Sequence, residues 1–179
     1  MCTDLKRIAI FGPESTGKTL LAEKLAAHFG TVWVPEYARE FWDRHGVITL
    51  EDIPEIAREQ WRREDAAAAE ARAVLICDTE ALTTVLWSDL LYGTCPAEVR
   101  RGAEKRARGY ALYLLLGTDV PFTPDPQRCF PDAADREKAL RVWRGSLERR
   151  QLPYVDIVGD WAQREQAAIA AVRRVLSPA

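Results

Sequence analysis

The sequence predicts an α/β fold, a doubly wound five-stranded parallel sheet with helices on both faces. Three observations carry that expectation. Short β-rich apolar runs alternate with longer segments of helical periodicity along the chain, as repeated βαβ units require. Two of those runs, Ala73–Cys77 and Tyr110–Leu116, are apolar at every position, as strands covered on both faces must be. The first run, Arg7–Phe11, leads directly into a glycine-containing loop that opens a helical pattern.

The elements follow in order. After Arg7–Phe11 and the punctuating Gly12-Pro13, residues Leu20, Leu21, Leu25 and Phe29 recur at helical spacing, so a helix runs from about Gly17 to Phe29 and Gly30 stops it. Thr31–Val34 reads as the second strand, ended by Pro35. Helices are expected over Glu36–His45, terminated by Gly46, and over Glu51–Arg72, with Pro54 in a first turn that needs no N–H. The third strand, Ala73–Cys77, precedes helices over Thr79–Tyr92 and Pro96–Arg108, and Gly117 stops the fourth strand, Tyr110–Leu116. Thr118–Pro131 holds four prolines and no periodicity. Loops of that length are uncommon without a function, and a lid is expected over about 118–136. A helix over Asp132–Arg150, a short strand over Tyr154–Val158 and a helix over Trp161–Leu176 complete a single expected domain over 1–179.

Composition narrows the class. A chain of 179 residues, 47% apolar and with net charge −2, has the size of one ordinary domain. Its near-neutral balance opposes a general nucleic-acid binder, which carries a strongly basic surface. Its longest apolar run, Tyr110–Leu116, is far short of the ~18 residues of a membrane span. The N-terminus passes straight into a strand-like segment, so no leader is expected. A cytoplasmic protein acting on small molecules is the expectation. Cys2, Cys77, Cys95 and Cys129 form no C-x-x-C pair, so no structural zinc is expected, and Cys77 reads as a buried thiol. Asparagine is absent from the chain, which excludes the N-K-x-D base-reading motif of GTPases.

The strongest chemical signal is Gly12-Pro13-Glu14-Ser15-Thr16-Gly17-Lys18-Thr19, a complete G-x-x-x-x-G-K-[ST] phosphate-binding loop between strand and helix. Gly12 and Gly17 let the backbone turn its N–H groups toward phosphate oxygens, and Glu14, Ser15 and Thr16 supply the intervening amides. The helix N-terminus adds a favourable field. Lys18 reaches the terminal phosphates and Thr19 ligates Mg²⁺. The ligands expected of this P-loop NTPase are therefore ATP and Mg²⁺.

Two carboxylates follow strand ends. Asp78 stands where a metal-orienting acid belongs, or alternatively caps the next helix. Glu36 occupies the matching point after the second strand. Ligands of doubly wound sheets collect beyond the carboxyl ends of the strands, so Lys18, Glu36 and Asp78 should converge, one carboxylate serving Mg²⁺ and the other the acceptor proton. In the proline-rich segment Arg128, with Asp125 nearby and Arg136 in the next helix, is the candidate to fold over the phosphates. The other arginine-rich stretches, around Arg58, Arg62 and Arg63, Arg100 to Arg108, and Arg149 and Arg150, are interspersed with Glu and read as solvated faces.

The loop with its Pro13-Glu14-Ser15-Thr16, then Glu36-Tyr37-Ala38-Arg39-Glu40, Asp78-Thr79-Glu80 with Thr83-Thr84, Asp125-x-x-Arg128 and Pro153-Tyr154 together resemble the NadR-type ribosylnicotinamide kinase family over essentially the whole chain. The resemblance implies transfer of the ATP γ-phosphate to the 5′-hydroxyl of nicotinamide riboside, giving nicotinamide mononucleotide for NAD synthesis. In multifunctional members of the family this domain follows a nucleotidyltransferase and sometimes a DNA-binding helix-turn-helix, and the adenylyltransferase and repressor activities are not carried over to this chain. Family members tend to carry glycine where Pro126 stands, and proline cannot adopt a positive φ. A pyridinium substrate calls for aromatic faces and negative charge. Tyr37, Trp42, Trp87 and Tyr92 are candidates for the first, and Glu36 and Asp78 for the second. Arg39, Thr79 and Asp125 complete the expected acceptor site. A kinase for another nucleoside or metabolite, and a nucleotide-dependent regulatory ATPase, are the alternatives.

Overall fold

A computed structural model describes residues 5–177. The expectations for Met1–Asp4, including Cys2, lie outside the described residues. Five strands, β1 (Lys6–Phe11), β2 (Trp33–Val34), β3 (Val74–Asp78), β4 (Tyr110–Leu116) and β5 (Tyr154–Ile157), form one sheet in the order β2-β3-β1-β4-β5. Every pairing is parallel. The helices are α1 (Lys18–Phe29), α2 (Tyr37–His45), α3 (Ile53–Glu70), α4 (Ala81–Tyr92), α5 (Ala97–Ala107), α6 (Ala133–Arg150) and α7 (Trp161–Leu176).

Strand alternation divides the core into two layers. Ile8 and Ile10 of β1, with Val74, Ile76, Leu112, Leu114 and Leu116, pack against α1 and α7. Ala9 and Phe11, with Leu75, Cys77, Tyr113 and Leu115, face the opposite layer, where Trp143 of α6 is fully buried. The uniform apolarity of Val74–Cys77 and of β4 thus reflects burial on both sides.

Several boundaries differ from the sequence reading for local reasons. β2 keeps only Trp33 and Val34, because Thr31 closes α1: its N–H donates to the Ala26 carbonyl at 3.0 Å beside the left-handed Gly30, in the manner of a Schellman motif. A 3₁₀ turn, Leu50–Asp52, precedes α3. β3 extends to Asp78, and α4 begins at Ala81 because Thr79 takes a positive φ of 73° that no helix accommodates. The arginine-rich faces are only partly solvated. Arg58 and Arg62 are exposed, whereas Arg63 lies over the Tyr37 ring at 4.4 Å and Arg106 pairs with Asp65 at 2.7 Å and donates to buried Glu64 at 3.4 Å. No helix among the described residues is long and apolar enough to cross a membrane.

Candidate active site

The central strand delivers the phosphate loop. Gly12, with φ 144°, passes so close to β4 that a Cβ there would meet the Leu116 carbonyl at 2.9 Å, and a Cβ on Gly17 would overlap the Trp161 ring. Within the loop the Thr16 hydroxyl donates to the Pro13 carbonyl at 2.9 Å, and Lys18 Nζ donates to the same oxygen at 2.8 Å. Two buried arginines hold the loop from behind. Arg136 donates to the Ser15 carbonyl at 3.2 Å and Arg164 to the Thr16 carbonyl at 3.1 Å. Arg164 also binds the Gly117 carbonyl and the Asp119 carboxylate. Carbonyls anchored outward in this way favour amides turned toward the ligand side, the geometry of an anion nest.

Sheet order brings the acidic strand ends to this loop. Asp78 pairs in register with Ile10, and Cys77 with Val34, so Asp78 emerges beside the loop and Glu36 one strand further out. The Thr19 hydroxyl donates to Asp78 Oδ2 at 2.6 Å. Burial raises the Asp78 carboxyl above its usual range, opposed by Lys18 and the Thr19 hydrogen bond. Burial likewise raises Glu36 to about 7, opposed by Lys18 and Arg39 and reinforced by Asp78 and Glu14. The two strand ends treat their glutamates differently. Glu80 caps α4, accepting from the Leu82 and Thr83 amides at 2.8 and 3.1 Å, so the cap of this helix is Glu80 and not Asp78. Glu36 stands at the N-cap of α2 yet makes no capping bond.

Loop, carboxylates and several aromatic residues line one cavity of about 670 Å³. Its apolar wall includes Trp42, Ile48, Trp87, Leu91 and Tyr92. Three buried side-chain oxygens, Asp78 Oδ1, Thr79 Oγ1 and Thr83 Oγ1, have no partner among the described residues, and all three residues line this cavity. Buried polar atoms of native proteins are normally hydrogen-bonded, so these three leave hydrogen-bonding capacity unused beside the cavity. The donor set at the phosphate end, a carboxylate oxygen without a partner next to a threonine hydroxyl, also fits Mg²⁺. That ion characteristically takes one or two protein oxygens together with substrate phosphates and water.

The segment between β4 and α6 covers the loop. The Phe130 amide donates to Glu14 Oε1 at 2.5 Å and the Thr123 amide to Ser15 Oγ at 2.8 Å. Arg128 reaches Ser15 Oγ at 3.4 Å and the Thr123 carbonyl, while Arg39 of α2 pairs with Asp125 at 2.8 Å. Pro126 occupies the second position of a turn closed by the Arg128 amide on the Asp125 carbonyl at 2.9 Å. A fixed φ suits that position, so this turn needs no glycine.

Of the residues singled out from sequence, Glu14, Ser15, Thr16, Gly17, Lys18, Thr19, Glu36, Arg39, Trp42, Asp78, Thr79, Trp87, Tyr92 and Arg128 line the cavity. Gly12, Tyr37, Asp125 and Arg136 are outside its lining. Tyr37 is buried with Phe41 and Ile56, because the i, i+4 pair on α2 faces α3. Arg136 spends its guanidinium on backbone carbonyls, including that of Val120 at 3.1 Å. Trp87 lines the wall but is stacked on Phe130, with centroids 5.7 Å apart. Sequence reasoning missed Gln60, Val47, Leu91 and Cys129 on the cavity wall and Arg164 behind the loop. Arg164 lies in a helix with no motif, and Gln60 in a segment whose dominant signal was its charged residues.

The profile of the AAA domain family AAA_28 matches residues 7–164. The chain belongs to this AAA domain family. It is 26% identical over 178 residues to the trifunctional NAD biosynthesis/regulator protein NadR of Escherichia coli (strain K12), covering 96% of this chain. It spans only 43% of that relative's length. Among solved structures, a NadR protein in complex with NR superposes with a TM-score of 0.79 at 20% identity, over 97% of this chain and 52% of the other. Deoxyadenosine kinase from M. mycoides with bound dATP superposes with a TM-score of 0.59 at 9% identity, over 94% and 99%. These likenesses show that this AAA domain has the fold of the P-loop nucleoside kinases.

Proposed function

We propose that the protein is a kinase that transfers the γ-phosphate of ATP to the 5′-hydroxyl of nicotinamide riboside, yielding nicotinamide mononucleotide. The observation that carries this reading is the union, in one cavity, of a phosphate loop, two carboxylates and three unpartnered buried oxygens beneath an aromatic wall. A phosphate loop alone serves many chemistries. An acceptor pocket opening on it calls for transfer to a bound hydroxyl. A permanent pyridinium cation is matched by the negative charge of Glu36 and Asp78 and the rings of Trp42, Trp87 and Tyr92. The solved NadR complex with NR supports the choice of acceptor.

In this mechanism Lys18 and the loop amides hold the β- and γ-phosphates, and Thr19 and Asp78 would hold Mg²⁺. When bound, that ion neutralises charge on the phosphates and fixes their orientation. Asp78 is committed to the Thr19 hydroxyl, which leaves Glu36 as the base. Its carboxylate takes the 5′-hydroxyl proton as the oxygen attacks the γ-phosphorus, and the bond to the β-bridging oxygen breaks to release ADP. Thr79 and Thr83 offer their free hydroxyls to the ribose. Segment 118–136 acts as the lid, with Arg128 meeting developing phosphate charge and the cover excluding water.

The test measures ADP formation with ATP and Mg²⁺, alone and with nicotinamide riboside, uridine, cytidine, adenosine or thiamine. The expected result is strong stimulation by nicotinamide riboside, with nicotinamide mononucleotide as product. Equal or greater stimulation by an uncharged nucleoside overturns the choice of acceptor, and no stimulation by any overturns the kinase reading.

A further inference from the structure

An N-cap side chain ordinarily turns back to accept hydrogen bonds from the first helical turn. Glu80 does so at the end of β3, engaging the second and third amides of α4. Glu36 holds the same N-cap position at α2, and its carboxylate makes no such bond. A residue on a third element holds the backbone on both sides of Glu36. Gln60 of α3 is 3% exposed, and both ends of its amide are in use. Its Oε1 accepts from the Tyr37 amide at 2.7 Å, and its Nε2 donates to the Pro35 carbonyl at 3.4 Å. Those are the peptide groups on either side of Glu36. The Tyr37 amide is among the N-terminal groups that no intrahelical carbonyl can satisfy, and here an outside acceptor satisfies it.

We propose that Gln60 is a positioning residue of the transfer reaction, clamping the peptides that flank Glu36 and thereby keeping its carboxylate turned to the acceptor hydroxyl instead of capping α2. This inference rests on the reading of Glu36 as base. It assigns Gln60 no contact with either substrate, although Gln60 lines the cavity. Loss of the clamp leaves the Tyr37 amide without its acceptor and frees the residue 36 backbone, and the carboxylate then takes the capping position that Glu80 takes on α4. A carboxylate that accepts amide hydrogen bonds is favoured in its charged form, so those bonds move the Glu36 titration below its value of about 7.

The experiment is a double-mutant cycle of Gln60→Met, unbranched and of similar volume, with Glu36→Gln. In the wild-type background Q60M is expected to lower kcat by about 10- to 100-fold, the scale on which small misplacements act, with KM for ATP and acceptor nearly unchanged. The acidic limb of its pH profile moves to lower pH. In the E36Q background the same substitution is expected to cost less than about threefold, because residues acting as a unit are not additive. An equal loss in both backgrounds makes Gln60 a merely structural tie and overturns the proposal. A rise in acceptor KM alone makes it a substrate contact and also overturns it. Infrared titration of the Glu36 carboxyl, assigned by its loss in E36Q, needs no turnover. It therefore judges the clamp even if acceptor-dependent ADP formation is not found and the kinase reading fails. An unshifted Glu36 titration in folded Q60M contradicts the clamp. Gln60→Leu carries the same tests if Q60M loses its cooperative thermal transition.

Discussion

The ends of β2 and β3 carry the same kind of residue to the same edge of the sheet and put it to opposite uses. At β3 the chain runs Asp78-Thr79-Glu80, and the positive φ of Thr79 separates two carboxylates, one lining the cavity and one beneath the helix it caps. At β2 the chain runs Pro35-Glu36-Tyr37 with a single carboxylate, and α2 goes without a side-chain cap. Burial raises the carboxyl to about 7 at Glu36 and to about 8 at Glu80. A raised pKa therefore does not by itself separate a base from a structural cap. The distinction comes from what each carboxylate touches: two backbone amides for Glu80, the cavity for Glu36.

Substitutions at these two strand ends separate the roles. A large effect is expected first at Asp78, whose removal takes the partner of the Thr19 hydroxyl and the unpartnered Oδ1 beside it. Asp78→Ala should lower kcat by about 10³-fold while ATP still protects the protein thermally, read by steady-state turnover and melting with nucleotide. Second comes the pH dependence of Glu36. A base must be deprotonated, so kcat/KM should rise about tenfold per pH unit until it levels near the Glu36 value of about 7. A profile already flat a unit below that value removes Glu36 as base.

Stability tests the other strand end. Glu80→Ala leaves two amides of α4 without their acceptor and should cost about 1–2 kcal/mol, measured by denaturant unfolding. The sign of the pH effect follows from linkage. Between 4.5 and about 8 the native chain holds on Glu80 a proton that the unfolded chain has released. Wild-type stability therefore falls as pH rises through that window, and Glu80→Gln should show a shallower fall. The smallest effect is expected at the part-exposed Arg39–Asp125 pair, where Asp125→Asn should change unfolding free energy by less than about 1 kcal/mol.

Much of this arrangement was legible in the sequence because it is written in local chemistry. The phosphate loop is contiguous, Ala73–Cys77 and Tyr110–Leu116 are apolar throughout, and the doubly wound order places strand-end carboxylates on one edge. What the sequence did not disclose depends on contacts between distant segments. Gln60 serves a turn 23 residues away, and Arg164 braces a carbonyl 148 residues away. Neither residue belongs to a local pattern. Tyr37 follows an acidic strand end as a substrate residue would, yet helical geometry pairs it with Phe41 on the buried side of α2. Residue order alone leaves Asp78 readable as a helix cap, because it does not show that Thr79 turns the chain before the helix begins.

The central claim, that Glu36 acts on the acceptor while Glu80 only supports the fold, is tested most directly by assaying Glu36→Gln and Glu80→Gln side by side for nicotinamide riboside-dependent ADP formation. Each keeps the shape of its side chain and removes the ability to ionise. The account predicts that E36Q loses about 10²- to 10⁴-fold in kcat with its KM for ATP retained, while E80Q stays within about threefold of wild type. Equal losses in the two variants, or near-normal turnover in E36Q, contradict it.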